Sequence, residues 1–211
     1  EMLNEELSRH QDQNPYTDED YFAYVDGKPR YNGVRDFFAS RGITLPEGDP
    51  SDGPAAQTIC GLGNRKNDLF NTVLARDGIQ PYPGSRRWVD RLHESGMAMA
   101  VVSSSRNAAA VLKAAGMVED FSVLVDGNRS KTERLPGKPA PDTYLRGAEL
   151  LGVPAEQCVV VEDAVSGVRA GAAGGFGMVL GVNRGVGADR LREAGADRVV
   201  DDLDEMVEEM A

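Results

Sequence analysis

Apolar residues in the first third of the chain recur at three- and four-residue steps: Met2, Leu3 and Leu7; Tyr21, Phe22 and Val25; Val34, Phe37 and Phe38; Leu62, Leu69, Phe70, Val73 and Leu74. That spacing lines one face of a helix. Pro15, "VDGKPR", "LPEGDPSDGP" and the "RDG" of residues 76–78 interrupt it. Breakers of this kind end helices, so the pattern predicts a small helical bundle over residues 1–79 and no strand there.

From Pro81 the period changes. "YPGSRRWVDRLHESG" reads as a helix begun at Pro-Gly and stopped at Gly96, and "MAMAVVS" as a buried strand. "RNAAAVLKAAG" follows as a helix, "FSVLVDG" as a strand, "APDTYLRGAELLG" as a helix and "QCVVVED" as a strand. "AVSGVRAGAAGG" is a helix, "FGMVLGV" a strand, "ADRLREAG" a helix and "ADRVV" a short strand. Such alternation predicts right-handed βαβ units and a parallel sheet. The expected architecture is an α/β, Rossmann-like, doubly wound core over residues 80–211, with a small helical domain over 1–79. The Ala/Gly-rich run at 170–177 predicts close helix–sheet packing.

Composition narrows the choice of partner. The 211 residues carry a formal net charge of −11, which disfavours a nucleic-acid or anionic-membrane surface, since both need clustered Lys and Arg. Much of the excess lies in the tail (Asp201, Asp202, Asp204, Glu205, Glu208 and Glu209), read as a solvated helix face. An anionic ligand must therefore be held by a local site. Cys60 and Cys158 stand apart without a C-x-x-C, which reads as two buried free thiols in a reducing cytoplasm. No apolar run approaches the roughly 18 residues of a membrane span. "EMLNEELSRH" is a polar helical pattern without Met at position 1, as expected if the chain starts inside a longer protein.

In an open parallel sheet, ligands sit beyond the carboxyl ends of the strands. Three such ends carry chemistry. After "MAMAVV" come Ser103, Ser104, Ser105, Arg106 and Asn107: hydroxyls followed by a helix start, either an anion seat or an ordinary Ser N-cap. After "FSVLVDG" a loop ends in "GKPAPD", with Lys138 held between Gly137 and Pro139. The phosphate-loop motif fails there, because Pro follows the Lys and Thr132 stands where that motif needs Gly. What remains is a stiffened Lys or a solvated loop Lys. After "CVVV" come Glu162 and Asp163, a seat for a hard cation such as Mg²⁺ or a helix cap. Hydroxyls, an ammonium and a diacid on one sheet edge are together what phosphoryl transfer requires. His10 and His93 lie on polar helical segments and read as surface residues, so neither a zinc site nor a serine-hydrolase triad is expected.

"AVVSSSRN", "GKPAPD" and "VVVEDAVSGVRAG" resemble the second, third and fourth motifs of the haloacid dehalogenase-like phosphatases, most closely the β-phosphoglucomutase-like subfamily. The resemblance covers nearly the whole chain and takes in "PYPG" and the "RKND" of residues 65–68. It implies a Mg²⁺-dependent enzyme acting on a small phosphorylated metabolite, a sugar phosphate, through an aspartyl-phosphate. Hydrolysis is favoured over isomerisation of the β-phosphoglucomutase type, and a monomer over an oligomer. By the same resemblance Ser103 binds the transferring phosphate with the Ser104 backbone, and Ser105, Arg106 and Asn107 extend that loop. Lys138 bridges phosphate and nucleophile, and Asp163 with Glu162 holds Mg²⁺. Arg65, Lys66 and Asn67, on the cap, reach a distal phosphate or sugar; Lys28 and Arg30, near the hinge, are weaker candidates.

One motif of the family is missing. D-x-D-G, which supplies the nucleophilic Asp, has its nearest string in "YVDGKP", where Tyr24 replaces the first Asp. The resemblance thus implies a first core strand upstream of the chain, roughly two dozen residues. Dehalogenases of the superfamily, which lack a Glu-Asp pair, and response-regulator receivers, whose acids come first, fit less well. A catalytically inactive phosphate-binding protein is the rival from another class.

Overall fold

The computed structural model describes residues 2–10 and 14–209; Glu1, the first residue of the N-terminal helical pattern, lies outside them. The chain forms two compact units, one ending at Asp77 and one beginning at Gly78.

Every regular element among the described residues of the first unit is helical: α1 (Met2–Leu7), α2 (Asp18–Asp20) running into a π-helical turn at Tyr21–Val25, α3 (Arg30–Ser40) and α4 (Ile59–Asp77). Thr17 starts α2 through a reciprocal capping box with Asp20, satisfying donors that a helix start otherwise leaves bare. Met2, Leu3, Leu7, Val25, Val34, Phe37, Phe38, Ile59 and Leu62 form the core. A Cβ on Gly63 would fall 2.6 Å from the Tyr31 ring, so the missing side chain lets α3 and α4 approach. The helical periodicity of α4 is real, but its burial is not uniform. Leu62 is buried, whereas Leu69, Phe70 and Val73 are exposed. The buried residues of α4 run from Ile59 to Gly63, all in its first turns, and periodicity alone could not tell which turns would be covered.

The second unit runs α5 (Pro83–Glu94), β1 (Ala100–Val102), α6 (Ala108–Ala114), β2 (Val123–Val125), α7 (Gly127–Glu133), α8 (Asp142–Leu151), β3 (Val159–Glu162), α9 (Val165–Ala173), β4 (Met178–Val182), α10 (Ala188–Glu193), β5 (Arg198–Val200) and α11 (Asp204–Glu209). Every strand pairing is parallel: β1 with β2, and β3 with β4 and β4 with β5. The βα alternation is therefore as the sequence predicts. The pairing is split, however, into a two-stranded sheet β1–β2 and a three-stranded sheet β3–β4–β5. Gly171 packs α9 against Val160 and Val179, where a Cβ would come within 3.1 Å of both side chains. Leu180, Val182, Val200 and Leu203 are buried together under Trp88 and Met206. One helix was not foreseen. Residues 127–133, expected as loop, form α7 because the Asp126 side chain accepts from the Asn128 and Arg129 amides as its N-cap.

Candidate active site

Of the three sequence candidates in the second unit, Ser103 follows the carboxyl end of β1 and Asp163 that of β3, which ends at Glu162, whereas Lys138, expected at a strand end, comes after α7. Ser103 follows β1, and its backbone N–H bonds the Val125 carbonyl at 2.9 Å. The loop then turns on its own hydroxyls: Ser105 N–H donates to Ser103 Oγ at 3.2 Å and Asn107 N–H to Ser105 Oγ at 3.1 Å. Asn107 precedes α6 without capping it by its side chain. A hydroxyl that accepts one backbone N–H keeps its own O–H for another partner.

Lys138 reaches across from its loop. Its Nζ donates to the Val102 carbonyl at 3.3 Å and forms an ion pair with Glu162. The ends of β1 and β3 are therefore within reach of one ammonium. Lys138 is buried, and its Nζ lies 4.6 Å from the centroid of the Tyr144 ring.

The two adjacent acids are placed differently. Glu162 is turned inward: Oε1 accepts from Lys138 and from the Tyr144 hydroxyl at 2.8 Å, and Oε2 from the Asp163 and Ala164 amides at 3.0 and 2.9 Å. Burial pushes the Glu162 pKa up, but the Lys138 charge and the hydrogen bonds outweigh it, and the net shift is downward. Tyr144 is pushed the other way, chiefly by burial and then by the Glu162 charge. A Cβ on Gly167 would sit 2.1 Å from the Glu162 carboxyl, so the glycine of "VSG" is what lets the acid lie against α9. Asp163, by contrast, is exposed at the strand end.

No three His, Cys, Asp or Glu side chains among the described residues converge as a metal cage. Mg²⁺ does not require one: one or two carboxylates, retained waters and substrate phosphate oxygens are its usual shell. An exposed Asp163 at the end of β3 offers one such carboxylate. Glu162 as placed has its oxygens spent on protein donors, so it orients Lys138 and the turn.

The cap candidates lie in the first unit and separate there. Arg65 forms an ion pair with Glu5, and Asn67 accepts from Arg30 at 2.7 Å. Lys66 lines a cavity with Leu3, Val25, Lys28, Arg30, Gly33 and Val34. Its ammonium is destabilised by packing and by Arg30, with Asp26 opposing, and its pKa falls. Lys28 is paired with Asp36 at 2.7 Å. Arg30, a weak candidate by sequence, thus shares a pocket with Lys66. Sequence reasoning missed Tyr144 and Asp126 altogether; the "VDGN" string was the available signal for the second. His10, expected at the surface, is half-buried beside Glu6.

A profile of the family "haloacid dehalogenase-like hydrolase" matches residues 3–175. A beta-phosphoglucomutase of Mycobacterium bovis is 49% identical over 191 residues, 89% of this chain and 73% of that protein. Hexitol phosphatase A of Escherichia coli is 33% identical over 89% of this chain and 77% of its own length. Among solved structures, a beta-phosphoglucomutase from Clostridium difficile superposes with a TM-score of 0.78 at 18% identity, covering 99% of this chain and 86% of that one.

Proposed function

The chain belongs to the haloacid dehalogenase-like hydrolases, and on that premise we propose that it transfers the phosphoryl group of a small phosphorylated metabolite, a sugar phosphate, to water. The observation that carries this reading is Lys138, which joins the Val102 carbonyl and Glu162 at the ends of β1 and β3. A fixed cation at the strand end that leads into Ser103 is what a transferring phosphoryl group needs, because its charge spreads over three equatorial oxygens. In this reading the Ser103 hydroxyl and the Ser104 backbone donate to those oxygens. Lys138 neutralises charge between phosphate and nucleophile, and Glu162 keeps the ammonium aimed. Asp163 would hold Mg²⁺, which when bound would neutralise phosphate charge. The nucleophile is an Asp that the family carries in D-x-D-G; a strand between β1 and β3, where the sheet parts, would bring it beside Lys138. Lys66, which shares its cavity with Arg30, would select the substrate's remote end, with Arg65 and Asn67 as further candidates on the same helix.

A second reading, isomerisation of a sugar phosphate, is favoured by the 49% identical beta-phosphoglucomutase. The test is a panel of hexose and hexitol phosphates given to the full-length protein with Mg²⁺ and assayed for both free phosphate and isomer. Free phosphate at multiple turnovers supports hydrolysis, and isomer without phosphate supports the mutase. Ser103→Ala should lower either turnover by roughly 10²-fold, since it acts on charge developing in the transition state. Phosphate binding without turnover on any substrate would leave the non-catalytic reading.

A further inference from the structure

We propose that the turn Asp126–Gly127–Asn128, after β2, is the positioning clamp of the Ser103–Asn107 loop; the proposal rests on the phosphoryl-transfer reading above. A loop that binds phosphate must hold its donors to within about half an ångström. The two hydroxyl-capped turns inside the loop shape it locally but do not tie it to the sheet. Three other bonds do. Ser103 N–H donates to the Val125 carbonyl at 2.9 Å, and Gly127 N–H donates to the Ser105 carbonyl at 3.1 Å. The Asn128 carboxamide Nδ2 donates to the Arg106 carbonyl at 3.0 Å. Successive parts of the loop are thus fastened to the last residue of β2 and to the turn that follows it.

Each residue of the turn has a separate task. Asp126 is buried and aims the amide: Oδ2 accepts from Asn128 Nδ2 at 3.0 Å, while Oδ1 takes the Asn128 and Arg129 N–H groups at 3.0 and 2.8 Å. Gly127 admits the loop. A Cβ there would lie 2.7 Å from the Ser104 carbonyl oxygen and 3.1 Å from the Arg106 amide nitrogen, both backbone atoms that cannot swing aside. Asn128 then closes the clamp from an exposed position. Substitution at Asn128 therefore perturbs the loop with little demand on the core.

The experiment measures binding of inorganic phosphate to the full-length protein by calorimetry, beside thermal melts. Asn128→Ala should weaken phosphate by roughly 5- to 10-fold, the equivalent of one net hydrogen bond, while the melting temperature falls by no more than a few degrees. Gly127→Ala should weaken it further, and Lys131→Ala, on the exposed side of α7, should match wild type. Ser103→Ala separates the two layers of the argument. If Ser103→Ala weakens phosphate while Asn128→Ala and Gly127→Ala bind as wild type, the clamp is wrong and the functional reading stands. A lowered melting temperature in Asn128→Ala with phosphate affinity intact overturns the clamp as well. If wild type binds no phosphate, or Ser103→Ala binds it equally well, the functional reading falls and takes the clamp with it. Should Gly127→Ala fail to fold, Asn128→Ala decides alone.

Discussion

The strand-end cluster of the α/β unit and the cation pocket of the helical unit both gather positive charge in an acidic chain, by opposite means. Lys138 is buried, answered by Glu162 and seated against the Tyr144 ring. Lys66 shares its cavity with Lys28 and Arg30, and the charge of Arg30 helps to hold its pKa down. In the first region position is fixed and charge is already balanced. In the second, burial and then Arg30 work against the Lys66 ammonium, with Asp26 opposing them. On the proposed function, chemistry common to every substrate would fall to the balanced cluster and discrimination among substrates to the cavity of Lys66.

The largest effect should come from breaking the balanced pair. Lys138→Met leaves the Glu162 carboxylate buried without its cation, which costs about 3–5 kcal/mol and should also lower turnover by roughly 10²-fold. Urea denaturation and a phosphatase assay read the two losses separately. Adding Glu162→Gln should return most of the stability and none of the activity. If the single variant is as stable as wild type, the buried pair is not what holds this edge together.

Next comes the neighbour that points outward. Asp163 is exposed, so Asp163→Asn should change stability by less than about 0.5 kcal/mol. Turnover should nevertheless collapse, and raising Mg²⁺ should recover part of it, because one anionic oxygen has left a hard-cation site. Near wild-type activity at low Mg²⁺ would show that Asp163 is not the metal acid. The two variants together test whether adjacent carboxylates can do separate jobs.

That division was only half legible in the sequence. The motifs at Ser103 and at Glu162 could be read because each follows an apolar run and precedes a helix, and period and punctuation are local signals; Lys138 could be read only from its Gly and Pro neighbours. Whether Glu162 faces inward or outward is decided by Gly167, five residues on, which makes room for the carboxyl. Tyr144 was hidden for the same reason: on α8 it reads as one more apolar-face residue, and only the fold brings its hydroxyl to Glu162. α7 escaped notice because its sequence, "GNRSKTE", has no apolar face; Asp126 starts it by capping. On α4 the opposite happened, and a strong helical period said nothing of which turns are covered.

A smaller effect should come from the strained pocket. Lys66→Ala should lower kcat/KM by roughly 10-fold for substrates bearing a remote anionic group, the loss of one charge-assisted contact, and spare substrates without one. The pH dependence has a definite sign. Because the pKa of Lys66 is lowered by burial and by Arg30, its positive charge is present at low pH and lost on the way up before the usual lysine value of about 10.4. Remote-anion selectivity should therefore fade as pH rises through that lowered value, and Lys66→Ala should abolish the fade. Equal loss on all substrates would move Lys66 out of the selective region.

The smallest expected effect separates the Tyr144 ring from its hydroxyl. Tyr144→Phe keeps the aromatic face under the Lys138 ammonium, 4.6 Å from its centroid, and removes only the O–H that donates to Glu162 Oε1 at 2.8 Å. Hydrogen bonds to charged groups contribute more than neutral ones, but Glu162 keeps Lys138 and two backbone donors, so the loss should be about 1 kcal/mol. Turnover should fall no more than roughly 3-fold, since the ammonium is still held from both sides. A melt unchanged from wild type would mean the hydroxyl adds nothing to the balanced cluster. A loss of turnover as large as that of Lys138→Met would mean instead that Lys138 is aimed chiefly by the Tyr144–Glu162 bond, and the cluster's rigidity would then rest on the phenol.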